Sequence, residues 1–219
     1  HLGYLPGEIA FIDHMTGMEF LRFLAGMKGL SDLSRARELM EYFELDASGR
    51  IRKMSKGTKQ KLGIVCAFMS DPDILILDEP TSGLDPLMQS RFIELILQEK
   101  KKHKTILLSS HIFEEVEKTC DRTAVIRKGH LVDIVEMEKL QGNRRRICRV
   151  LFADASKALT FSRRHPGALL KDCQVTVPVS GSMELFIREL SQYPILDLEM
   201  RPQTLEELFL HFYGGEPND

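Results

Sequence analysis

The chain has 219 residues, 43% of them hydrophobic and 28% charged, and a formal net charge of −2. That is the balance of an ordinary globular protein with room for one large domain or two modest ones, and it gives the molecule as a whole no pull toward nucleic acid or anionic lipid. The longest apolar run, Ile64 to Met69, is far short of the ~18 residues of a membrane helix, so a membrane role is expected only through a partner. No signal peptide is visible. Cys66, Cys120, Cys148 and Cys173 form no C-x-x-C pair, which argues for reduced thiols in a cytoplasmic protein rather than a zinc site or a disulfide framework. The chain opens on His1 in mid-strand style, HLGYLP, and reads as a piece of a longer protein or a trimmed one.

Leu2 to Leu5 predict a short strand stopped by Pro6-Gly7. Thr16-x-x-Glu19 is a capping box that starts a helix to about Lys28, with Leu21, Leu24 and Met27 on one face. A second helix is expected from Ser34 to Phe43, with Leu39, Met40 and Phe43 inward. Gly57 to Met69 form a third, its stripe Leu62, Val65, Cys66 and Met69 at helical period. Together these make a helical subdomain at about residues 11–70. Pro72 breaks the third helix, and Asp73 to Leu77 read as a strand buried on both faces of a parallel sheet. Asp85 is an N-cap with Pro86 at the first helical position, and that helix runs to about Lys102. Thr105 to Leu108 give another buried strand and Phe113 to Thr119 another helix. Thr123–Arg127 and Leu131–Val135 form a hairpin around Lys128-Gly129-His130. The alternation implies an α/β fold with a mainly parallel sheet.

The cluster Arg144-Arg145-Arg146 marks a boundary, giving domains at 1–143 and 144–219. Beyond it the pattern reads strand 147–152, helix 155–164, strand 174–179, helix 183–193, strand 195–200 and helix 205–213, the last capped by Thr204-x-x-Glu207. This is a small C-terminal α/β extension.

Asp78 and Glu79 close the strand ILIL at its C-terminal end, where open α/β sheets bind ligands. A carboxylate there holds Mg²⁺ through water, and a neighbouring one polarises an attacking water. A bare DE pair also serves as an acidic turn, but the full run ILILDEPTSGLDP is far more specific. Ser55 and Gly57 in MSKG sit at a helix N-terminus, which suits an anion. Taken alone, they read equally as a serine cap. His111 follows the strand TILLSS, in place to hydrogen-bond a phosphate or to serve a structural role. Arg50 to Lys61 carries six basic residues and no acid, yet lacks the interleaved aromatics of a single-strand binder. No nucleic acid is expected as a partner. A phosphate loop of the form G-x-x-x-x-G-K-[ST] does not occur.

Taken in order, these pieces resemble the ATP-binding subunits of ABC transporters, and within them the branch that pairs with export-type permeases. MSKGTKQKLGI resembles the signature motif, with Lys56 and Thr58 in place of a glycine and a glutamine. ILILDE resembles the Walker B strand, Ser82–Asp85 the D-loop, and Ser109–His111 the switch-histidine loop. The likeness covers about Leu2 to Val135, and TLEELFLHF resembles the C-terminal extension of the same branch. It implies a partial ABC-type ATPase domain whose Walker A segment lies upstream, inactive by itself, with ATP and Mg²⁺ as cofactors. It implies that Asp78 binds Mg²⁺ through water, Glu79 activates the hydrolytic water, and His111 contacts the γ-phosphate. Ser55 and Gly57 would reach the nucleotide on a second ATP-binding domain in a head-to-tail dimer, and Asp85 would link the two sites. The family's loop glutamine aligns with Gly7, which offers no side chain. Phe11 to Leu30 would meet the membrane permease, placing the subunit at the inner face of the cell membrane. The competing reading is a non-hydrolytic module that lends its signature helix to a partner ATPase. A third is a soluble ATPase acting on nucleic acid, for which the expected second cassette or coiled-coil insertion is not seen.

Overall fold

In the computed structural model, which describes residues 2–139, 146–179, 182–204 and 207, the first unit of the chain, up to Thr119, is built on three parallel strands. They are β1 (Leu2–Leu5), β2 (Ile74–Asp78) and β3 (Thr105–Ser109), in that spatial order. Leu5 lies opposite Leu77, and Leu77 opposite Leu108. Helix α1 (Gly17–Met27) starts at the predicted capping box. Thr16 N donates to Glu19 Oε2 at 2.8 Å and Glu19 N to Thr16 Oγ1 at 3.2 Å. Its inward line is Gly17, Leu21 and Ala25, whereas Met27 is 70% exposed. Leu21 is buried and Leu24 packs partly buried against the same core, as foreseen, and the stripe is corrected at its end, where Ala25 rather than Met27 faces inward.

Helix α2 (Ser34–Tyr42) buries Ala36 and Leu39, and Phe43 closes it. After a 3₁₀ turn at Ile51–Lys53, α3 (Lys56–Phe68) is capped by Ser55. Every residue of α3 from Leu62 to Phe68 is buried, which makes it the central helix of the unit. Helix α4 (Pro86–Lys101) adds Met88, Phe92, Leu95 and Ile96 to the same core, with Phe92 edge-on to Phe68 at 6.5 Å. Helix α5 (Phe113–Thr119) follows β3.

Leu75 and Leu77 face this core, but Ile74 is 45% exposed and Ile76 only half-buried. Leu2, Tyr4 and Leu107 are exposed on the flanking strands. The expectations of a β2 strand buried on both faces and of a buried β3 are therefore corrected, since no residue of β3 is fully buried. Among the described residues α3 and α4 pack on one face only.

β1 approaches α3 closely. A Cβ at Gly3 would lie 2.3 Å from the carbonyl oxygen of Ala67 and 2.7 Å from Leu75 Cδ2. A backbone oxygen cannot swing aside, so Gly3→Ala is expected to force β1 off α3. The cost is about 1–3 kcal/mol, read as a lower urea midpoint with the denaturant slope preserved.

The second unit begins at Cys120. Strands β4 (Arg122–Arg127) and β5 (His130–Glu136) form the foreseen hairpin. Then come β6 (Arg146–Phe152), α6 (Ala155–Arg164), β7 (Leu169–Lys171), β8 (Gln174–Val179), α7 (Met183–Leu190) and β9 (Ile195–Pro202). The sheet order is β7-β8-β6-β9 with every pair antiparallel, the ferredoxin-like split βαβ arrangement. Its core joins Cys148, Val150 and Phe152 to Phe161, Val175 and Val177. β7 had no sequence signal, being three residues long and exposed throughout. The boundary foreseen at residues 143–144 and most of the helix foreseen at 205–213 lie outside the described residues. The cap before that helix is present: Glu207 N donates to Thr204 Oγ1 at 3.2 Å, and Arg201 hydrogen bonds hold the Glu207 carboxyl down at about 2. No helix among the described residues is long and apolar enough to cross a membrane.

Candidate functional site

The C-terminal ends of the three parallel strands carry Gly7, Asp78-Glu79 and Ser109-Ser110-His111 to one edge of the sheet. Asp78 pairs in register with Ser109, whose hydroxyl donates to Asp78 Oδ1. The chain then leaves the strand sharply. Glu79 takes a left-handed backbone conformation, φ 47°, uncommon for a side chain of its size. Its N–H is shared between Ser109 O at 3.1 Å and Ser109 Oγ at 3.2 Å. This turn aims the Glu79 carboxylate across at β3, where Oε2 meets His111 Nδ1 at 2.6 Å. Glu79 is half-buried, and Asp78 and His111 are exposed.

Asp78 Oδ2 faces Gly7. A Cβ on residue 7 would lie 2.9 Å from that oxygen, so a side chain there would crowd the carboxylate. With Oδ1 engaged by Ser109, Oδ2 is the oxygen left for a cation. Among the described residues no group of three or more His, Cys, Asp or Glu side chains gathers to hold a metal. A single carboxylate oxygen nonetheless fits Mg²⁺, which takes most of its ligands from water and substrate phosphates.

The residues predicted at helix N-termini form a second corner of the same unit. Ser55 caps α3, its Oγ accepting from Thr58 N at 3.1 Å and lying 2.8 Å from Thr58 Oγ1. Gly57 packs so closely on the turn after β2 that a Cβ would sit 2.8 Å from Gly83 O. Lys56 Nζ donates to Ser82 Oγ at 3.0 Å. Asp85 caps α4 as foreseen, Oδ1 accepting from Met88 N at 3.0 Å. The structure thus brings Asp78, Glu79 and His111 together and draws Gly57 to the Ser82–Gly83 turn. Among the described residues it makes no hydrogen bond between Ser55, Gly57 or Asp85 and the Asp78–Glu79–His111 group.

Two buried polar residues support these loops, and sequence reading passed over both. Gln60, on α3, donates from Nε2 to Pro80 O at 2.8 Å and Glu79 O at 3.3 Å. It lies on the inward i, i+4 row with Ile64 and Phe68, and a polar residue at such a position is a readable signal. Glu115, on α5, is 2% exposed. Its Oε2 accepts from Ser110 Oγ at 2.5 Å and from Thr81 Oγ1 at 3.3 Å. Burial pushes the Glu115 carboxyl above the ordinary carboxylate range. The Ser110 and Thr81 hydrogen bonds offset part of that rise, and the charge on Glu79 adds to it. No periodicity singles Glu115 out, since FEEVEKT is polar nearly throughout.

A family profile described as "AAA domain, putative AbiEii toxin, Type IV TA system" matches residues 40–117. An uncharacterized ABC transporter ATP-binding protein of Nostoc sp. is 38% identical over 65% of this chain, which spans only 44% of that relative's length. The bacitracin transport ATP-binding protein BcrA of Enterococcus faecalis is 31% identical over 94% of this chain and 70% of its own. This chain belongs to the ABC transporter ATP-binding proteins. A solved ATP-binding subunit of an ABC transporter is 34% identical and superposes with a TM-score of 0.58, covering 64% of this chain and 60% of that one. The fold is therefore that of part of an ABC ATPase domain, followed by the C-terminal extension.

Proposed function

We propose that this chain is the Walker B, signature and switch-histidine portion of an ATP-hydrolysing subunit that powers export through a separate membrane permease. The observation that carries the reading is the pairing of Glu79 with His111 at 2.6 Å, beside Asp78, at the C-terminal ends of adjacent parallel strands. Asp78 Oδ2 would hold Mg²⁺ through water, and the metal would offset the charge of the triphosphate. Glu79 orients and deprotonates the attacking water, and His111, exposed on the loop after β3, donates to the terminal phosphate. Ser55 and the N-terminal amides of α3 present hydrogen-bond donors and a positive dipole end to a nucleotide held on a second ATP-binding domain. Asp85, exposed at the start of α4, faces the same partner. The exposure of Asp78, Ser55, Asp85 and His111 supports a site closed by another domain.

The phosphate loop is supplied by residues outside these 219. Parallel sheets are covered on both faces, and the open apolar face of Leu2, Tyr4, Ile74 and Leu107 supports a further layer there. On α1, exposed Phe23 and Met27 beside half-buried Phe11 and Phe20 form the apolar surface that would meet the permease. BcrA, by its name, serves bacitracin transport; the transport role proposed here is in keeping with that relative. The subunit would then sit on the inner face of the cell membrane.

Equilibrium dialysis against Mg-ATP tests the division of labour. The 219 residues by themselves are expected to retain no ATP at micromolar concentration. The protein carrying a phosphate loop ahead of them is expected to bind and hydrolyse it. Micromolar binding by the 219 residues alone overturns the assignment of the phosphate grip to a segment outside them.

A further inference from the structure

We infer that Glu115 is a positioning residue that fixes His111 relative to Glu79 by tying together the two loops that carry them. One oxygen, Oε2, accepts from Thr81, two residues after Glu79, and from Ser110, one residue before His111. Ser110 Oγ in turn accepts from Ile112 N at 3.0 Å, so both neighbours of His111 are pinned through one hydroxyl. On the other loop, Thr81 O accepts from Leu84 N at 3.0 Å, and Thr81 itself is buried. The turn after β2 is therefore held at two points, by Gln60 on Glu79 O and Pro80 O and by Glu115 on Thr81.

The chemistry of this contact argues for direction rather than stability. Glu115 Oε1 is buried and meets no hydrogen-bond donor among the described residues, so the carboxyl is only half satisfied. Burying a carboxyl group on two hydroxyls is costly, and an apolar side chain of similar volume would fill the space at lower cost. What the carboxyl adds is a single point that both hydroxyls must approach, and this sets the distance between their loops. His111, exposed at the edge of the sheet, has Glu79 as its only side-chain hydrogen-bond partner among the described residues. Its position is otherwise set by Ser110.

The inference takes its catalytic meaning from the proposed function, but its geometric content is tested without nucleotide. In the 219-residue chain, the ring ¹H–¹³C signals of His111 are followed by NMR, with and without Glu79→Gln. The wild-type ring signals are expected to shift on Glu79→Gln. In Glu115→Leu that response is expected to be lost, and in Glu115→Gln, whose amide oxygen accepts the same hydroxyls, it is expected to survive. An equal response in all three backgrounds overturns the inference, whatever happens to their melting temperatures. If Glu115→Leu does not fold, Thr81→Val combined with Ser110→Ala removes both hydroxyls with little change of volume, and loss or retention of the response decides the matter in the same way. In the complete protein Glu115→Leu is expected to lower kcat while leaving KM for ATP within a factor of about two, with Glu115→Gln restoring kcat; a raised KM at unchanged kcat overturns the positioning role. A wild-type complete protein that hydrolyses no ATP counts against the proposed function alone, because the ring signals still report the latch.

Discussion

Glu79→Gln is expected to reduce ATP turnover by the complete protein by about 10²- to 10⁴-fold, the span typical of removing a general base, while leaving ATP-dependent association of two ATP-binding domains intact. The substitution exchanges one carboxylate oxygen for an amide nitrogen and keeps the volume. The backbone groups that fix residue 79 are unaffected: its N–H still reaches Ser109 and its carbonyl still accepts from Gln60. Glu79 is also half-buried rather than enclosed, so folding stability should change by no more than about 0.5 kcal/mol. Activity and stability are thereby separated. The check is phosphate release set against a thermal melt and against dimer formation on a sizing column. Turnover close to wild type would remove Glu79 from the reaction, and with it the reading of the β2 end as a water-activating site.

The parts of this fold that could be read from sequence are those decided within a few residues. The Thr16–Glu19 box, the Ser55 and Asp85 caps and Pro86 at the first helical position are local devices, and each appears where the pattern put it. What could not be read depends on which layers exist. Ile74 and Ile76 look like core in the string ILILD, yet only Leu75 and Leu77 meet α3 and α4, because coverage of a strand is a property of its neighbours. The same holds at the candidate site. Glu79 and His111 lie 32 residues apart in the chain. They meet because β3 returns beside β2 after the α4 crossover, as parallel connections do. Glu115 escaped notice for a related reason: a polar residue on a helix as polar as FEEVEKT looks solvent-facing until the loops it holds are placed.

Glu99→Ala is expected to destabilise the first unit by about 3–5 kcal/mol, the usual cost of stripping one partner from a buried charge cluster. Glu99 is 1% exposed on the last turn of α4. Its Oε1 accepts from Arg35 at 2.9 Å and from Lys102 at 3.0 Å, and Oε2 is ion-paired with Lys104. The cluster joins α2 to the end of α4 and to the residue that leads into β3, so it anchors the strand that later delivers His111. Without Glu99, Lys104, whose side chain is 8% exposed, keeps among the described residues only its ion pair with Asp71, and Arg35 only the one with Glu38 at the surface. The pH dependence carries a second signature. Burial raises the Glu99 pKa, but the Lys104 and Lys102 hydrogen bonds and charges more than offset it and leave it below the ordinary 4.5. A carboxylate whose folded value is depressed contributes stability that is fully present above the unfolded value and is lost as pH falls through the folded one. Wild-type stability should therefore decline below about pH 4.5, and the decline should be shallower in Glu99→Ala, since Asp71, also depressed by Lys104, remains to supply part of it. Urea titrations followed through the NMR signals of β2, repeated at several acidic pH values, measure both effects. An unchanged midpoint at neutral pH, or parallel pH slopes for the two proteins, would mean that the cluster is too well hydrated to anchor β3.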